Sequence, residues 1–168
     1  MPLPFLLASF LMPTDSAAGR RDCTTLTVHT GDLRITTPAE LQALRCVREV
    51  DGRLEIRGGP IESLQPLESL QAVTALTIED VSGLTSLKGL EQLDVDDTLT
   101  VKNNPDLERI EALPANGRIG RITIEDNPLL ARVRLPFASA GQITIDNTPS
   151  LTSLVIPGMQ TVNSIKLY

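Results

Sequence analysis

The chain has 168 residues, 41% of them hydrophobic, with a formal net charge of −6, three Phe, one Tyr and no Trp. That length and apolar share support one domain with a sizeable core, filled by Leu, Ile and Val because aromatics are so few. The 15 Lys and Arg are scattered rather than clustered, which argues against a phosphate-tracking surface and so against nucleic acid as a partner.

Residues 1–18, MPLPFLLASFLMPTDSAA, hold an apolar stretch from Leu3 to Met12, then a polar, small-residue segment with Ser16 and Ala18 placed as at a cleavage site. This reads as a signal peptide, leaving residues 19–168 as a single exported domain that is secreted or held at the cell surface or envelope. No Lys or Arg precedes the apolar stretch, and the alternative is an apolar arm packed on the body. The stretch is too short for a transmembrane helix, and no other segment is long enough. Arg20, Arg21 and Asp22 exclude a lipid-attachment box before Cys23. The two cysteines, Cys23 and Cys46, suit an oxidising compartment if they pair. They stand outside any CxxC motif, and the single His29 cannot complete a zinc site with them at a usual spacing. No metal or cofactor is expected.

The strongest signal is repetition. GDLRI (31–35), GRLEI (52–56), TALTI (74–78), DTLTV (97–101), GRITI (120–124), GQITI (141–145) and NSIKL (163–167) recur at 21 to 23 residues, counted from Leu33, Leu54, Leu76, Leu99, Ile122, Ile143 and Ile165. Apolar residues at i and i+2 describe a strand with one buried face. A repeat of about 22 residues leaves no room for a strand, a crossover helix and a return, so the strands stack in parallel. The fold class is therefore mostly β, a parallel solenoid of about seven coils.

Between strands come a turn and a second apolar pair, as in NNPDLERI (103–110), DNPLLARV (126–133) and NTPSLTSL (147–154). Asn103, Asn127 and Asn147 are expected to form one column whose amides satisfy backbone groups at the bend. Gly31, Gly52, Gly120 and Gly141 are expected to supply positive φ at the turn into each strand. Thr37, Pro38 and Glu40 match a capping box with Pro in the first turn, ahead of Leu41, Leu44 and Val47. One short helix, Pro38 to Cys46, is expected to cap the first coil.

Cys23, LRITTPAELQALRCVREVDGRLEI, GLTSLKGL and LTVKNNPDLERI together resemble the receptor L domain of insulin- and epidermal-growth-factor-receptor ectodomains, over roughly residues 23–168. The strand and asparagine pattern is shared with leucine-rich repeats. The resemblance implies that Cys23 pairs with Cys46 around the short helix, just ahead of Gly52, Leu54 and Ile56. It also implies a binding domain. The later cysteines that close such domains, a furin-like segment and a kinase are missing, so the resemblance does not extend to growth-factor signalling.

A catalytic serine or cysteine needs a base within reach, yet the only histidine, His29, lies near the N-terminus and no GxSxG is present. Asp94, Asp96 and Asp97 lack the alternating oxygen ligands and glycine of a calcium loop and read as a solvated turn. Two exposed columns follow from the phase of the repeat. One is Arg57, Glu79, Lys102, Glu125 and Asp146, whose signs mostly alternate as in a ladder of ion pairs. The other runs Arg34, Glu55, Thr77, Thr100, Thr123, Thr144 and Lys166, with four stacked threonines that suit a parallel sheet. An ice-binding reading of the threonines fails because the neighbouring column is charged.

The expected function is non-catalytic binding of an unidentified protein or glycan ligand on this face. A structural spacer or adhesin segment is the alternative, and a solenoid carbohydrate-active enzyme comes third for want of paired acids and stacking aromatics. The chain stops at Tyr168 directly after the seventh strand, which reads either as truncation of a longer protein or as an end buried by self-association.

Overall fold

The computed structural model describes Cys23 and residues 25–168, apart from 112, 115 and 116. The apolar N-terminal stretch read as a signal peptide lies outside the described residues.

The i, i+2 alternation produces the expected strands. β1 (Thr27–Thr30) and β2 (Leu33–Ile35) form the first level, followed by a helix, α1 (Pro38–Ala43), and β3 (Val47–Arg57). Then come a short 3₁₀ turn (Gln65–Leu67), β4 (Ala72–Glu79), β5 (Asp94–Lys102), β6 (Arg109–Ile110) and β7 (Arg118–Glu125). β8 (Arg132–Arg134), β9 (Ser139–Asp146), β10 (Ser153–Val155) and β11 (Thr161–Leu167) complete the order.

All pairings of these strands are parallel. The long sheet runs β1-β3-β4-β5-β7-β9-β11, with β2 also paired to β3, so seven levels enclose six full turns. A short sheet, β6-β8-β10, forms on the opposite side of the later turns.

The register matches the repeat residue for residue. Leu33, Leu54, Leu76, Leu99, Ile122, Ile143 and Ile165 stack in one inward column. Opposite them, apolar residues recur every third position, as in Ile61, Leu64, Leu67 and Leu70, then Val81, Leu84, Leu87, Leu90 and Leu93, all buried. Each such side chain contributes roughly 1.5–3 kcal/mol through burial. An aliphatic core replaces aromatics because a coil repeating at strand spacing, about 4.8 Å, leaves each layer only one side chain thick.

The capping box forms as expected. The Thr37 side chain accepts from the Glu40 N–H, and the Glu40 carboxylate accepts from the Thr37 N–H. The helix stops at Ala43, and Val47 already opens β3. α1 therefore fills the second side of the first turn, burying Leu41 and Leu44 against the core. Cys23 and Cys46 are disulfide-bonded with Cα atoms 5.3 Å apart, tying the start of the described chain to the turn before β3.

Two turn expectations need correcting. Asn103, Asn127 and Asn147 do not share a column. Asp80, Asn103, Asp126 and Asn147 occupy one position, each with φ between 47° and 58°. Asn104 and Asn127 stack one residue further on and are fully buried. Side chains that can bond their own backbone tolerate this left-handed bend, which is why Asn and Asp fill the first position.

The four glycines also divide. Gly31 has φ +96°, but Gly120 and Gly141 lie inside β7 and β9 and do not have positive φ. They are required by close stacking: a Cβ on Gly141 would sit 2.4 Å from the Gly120 carbonyl oxygen.

Candidate functional site

The turn position after each long strand fixes the edge of the site. Within it, the Asn127 Oδ1 accepts from the Asn104 N–H and Nδ2, while its own Nδ2 donates to the Val101 and Glu125 carbonyls. Asn104 repeats the arrangement one level down, its Oδ1 accepting from the Val81 N–H and its Nδ2 donating to the Ile78 carbonyl. This ladder replaces backbone partners that the bend removes, so the strand ends holding Glu79, Lys102 and Glu125 are rigidly placed.

The outer face of the long sheet carries every candidate residue. Arg57, Glu79, Lys102, Glu125 and Asp146 are successive partners in one column. Arg57 meets Glu79 at 2.7 Å, and Lys102 meets Glu125 at 3.2 Å and Asp126 at 3.8 Å. A hydrogen bond from Lys102 to Glu125, reinforced by the charges of Glu125, Asp126 and Glu79, lifts its amine above the usual lysine range. Alternation breaks at the last step, where Glu125 neighbours Asp146. Asp126 takes a hydrogen bond of 2.8 Å from the Asn147 amide beside it.

Arg34, Glu55, Thr77, Thr100, Thr123, Thr144 and Lys166 form the second column. The four threonines are half-buried between their neighbours. At the strand separation of a parallel sheet, their hydroxyls and methyls repeat about every 4.8 Å, giving a flat ruler of small polar groups.

A third outward column went unrecognised in the sequence: Arg53, Ala75, Thr98, Arg121, Gln142 and Ser164. The signal was there, since each of these residues precedes the first inward Leu or Ile of its repeat. The register shifts beside it hid the column, because β3 and β5 each hold one more residue than β4 between matched pairs. Near the first levels, Asp32, Leu33, Arg34, Arg53 and Glu55 line a shallow depression on this face.

Asp94, Asp96 and Asp97 belong to β5 and are not the free turn expected. Partial burial, then the charge of Asp96, pushes the Asp94 carboxyl above its ordinary range. His29 sits in β1, paired with Val50 and remote in sequence from the column acids. Chemically, the face presents fixed charges and hydroxyls, with Glu79 paired to Arg57 and Glu125 paired to Lys102.

No helix among the described residues is long and apolar enough to cross a membrane. Compared with descriptions of known protein families, with curated proteins and with solved structures, the chain matches none.

Proposed function

We propose that the chain is a receptor-L-domain-like binding module, exported and non-catalytic, that takes a protein or glycan ligand on the outer face of the long sheet. The observation that carries this reading is the three-column face. Charges and hydroxyls are held in register over several rungs, beside a turn whose buried Asn104 and Asn127 amides are hydrogen-bonded. Preorganised polar groups of this kind lose little freedom on binding, which is what a recognition surface gains from a solenoid. The disulfide favours work in an oxidising compartment. A spacer would need no such arrangement and would leave the face inert.

The test replaces Glu79 and Glu125 together by Lys. Surface charges contribute little to folding, so the circular dichroism spectrum is expected to stay unchanged. Capture of ligands from extracellular material and on a glycan array is expected to be lost. Capture at wild-type strength, or none by the wild type, overturns the proposal in favour of the spacer.

A further inference from the structure

The charge column of the long sheet mostly sets opposite charges on neighbouring rungs, Glu125 beside Asp146 excepted, and the short sheet sets like charges together. Arg109 of β6 and Arg132 of β8 are direct partners in the parallel register, and Arg134 lies two residues further along β8. All three are exposed, while Ile110 and Val133 between them are buried, so the guanidinium groups share the outer face. Adjacent strands stand about 4.8 Å apart, and like charges directly opposite one another destabilise a sheet.

The neighbouring acids relieve little of this. Glu108 lies 3.8 Å from Arg109, with side chains 53% and 48% exposed, so the contact is largely solvated. Glu111 follows at the end of β6. In a chain of net charge −6, two arginines stacked on adjacent rungs with only this solvated contact are a departure that folding does not require.

Beside the stack, Glu108, Arg109, Leu129, Ala131 and Arg132 line a groove. Leu129 presents half its surface there, and Val155 of β10 is similarly exposed next to Arg134.

We propose that this face docks an extended acidic peptide segment of a partner protein, with carboxylates on Arg109, Arg132 and Arg134 and an aliphatic side chain against Leu129. Guanidinium forks match carboxylates two hydrogen bonds at a time. Residues alternating on a strand-like peptide put successive carboxylates about 6.8 Å apart, near the Arg132-to-Arg134 repeat along β8. Single-stranded nucleic acid would need aromatic stacking platforms, which this face does not present. The surface is separate from the long-sheet face and stands independently of its function.

The test uses the whole exported chain and a fluorescent synthetic peptide of alternating Glu and Val, read by anisotropy. Binding is expected at low salt and to weaken steeply as salt rises from about 50 to about 200 mM. Replacing both Arg109 and Arg132 by Ser is expected to weaken it at least tenfold while leaving thermal stability unchanged or raised, because the repulsion is removed. Arg57→Gln with Lys102→Gln, which removes two cations from the long sheet, is expected to leave peptide binding unaltered. The proposal falls if the peptide does not bind, if the Ser variants bind it as well as the wild type or melt earlier, or if anionic vesicles or a sulfated polysaccharide bind in its place.

Discussion

Glu125 and Asn127 are two residues apart at the end of one strand, yet they belong to columns of opposite physical character. Glu125 stands in the solvent-facing charge ladder, bonded to Lys102 with both side chains partly exposed. Asn127 stands in the buried ladder and serves backbone groups on its own level and on the preceding one. Water can replace what Glu125 provides, and nothing can replace what Asn127 provides. The fold thus separates two environments within three residues: the buried column holds the turn, and the exposed column is released from that constraint.

The largest expected effect lies on the buried side of this comparison. Asn127→Ala strands the Asn104 N–H and one side-chain donor, and leaves the Val101 and Glu125 carbonyls short of a partner. Two or more buried groups left unmade cost roughly 3 kcal/mol or more in total. Chemical denaturation is expected to show that loss. The ligand capture proposed for the long-sheet face is expected to persist wherever the variant remains folded. A midpoint equal to the wild type would erase the distinction between the columns.

How far these columns are legible in the sequence depends on what fixes the phase. The inward strand column is fully legible, because a period-two pattern flips its whole apolar set to the wrong face if slipped by one residue. Leu33 through Ile165 admit only one register. The turn column is less constrained, since Asn103 and Asn104 are adjacent and Asp126 precedes Asn127. Choosing the first Asn of each turn mixes left-handed positions with the buried one. Pro105, Pro128 and Pro149 would have settled the matter, because the residue before proline is conformationally restricted and all three turns align on it. Asn104, Asn127 and Thr148 then fall together, as they do in the fold.

The glycines teach the same point, for one residue type answers two needs. Gly31 takes a conformation that disfavours a Cβ, whereas Gly141 takes a place with no room for one. Sequence shows the glycine but not which constraint selected it. For the site, the charge and threonine columns were legible in full, and the third outward column was hidden by the register shifts beside it.

Gly141→Ala probes a middle case, in which the tight contact is backbone against backbone inside a strand that also carries Thr144 and Asp146. The added methyl would press on the Gly120 carbonyl at 2.4 Å, so β9 must shift away from β7. Overpacking of this kind costs about 1–3 kcal/mol. A lowered melting temperature is expected, together with faster hydrogen exchange at the paired amides of β7 and β9. Exchange unchanged from the wild type would show that the levels have slack at this point.

The smallest expected effect belongs to the exposed ladder, where Lys102→Met removes one ion pair and leaves the strand otherwise intact. Because Glu125 raises the folded-state pKa of Lys102, the contribution of the pair is fully present below the ordinary lysine value of 10.5 and fades as pH climbs through the higher folded value. The difference in stability between wild type and variant is therefore expected to be slight and constant from neutral to mildly alkaline pH, then to vanish at strongly alkaline pH. It is also expected to shrink with added salt, as the attraction is screened. Denaturation midpoints across that range check the sign. A deficit as large as that of Asn127→Ala, or one insensitive to both pH and salt, would mean that the outer column carries the fold as well.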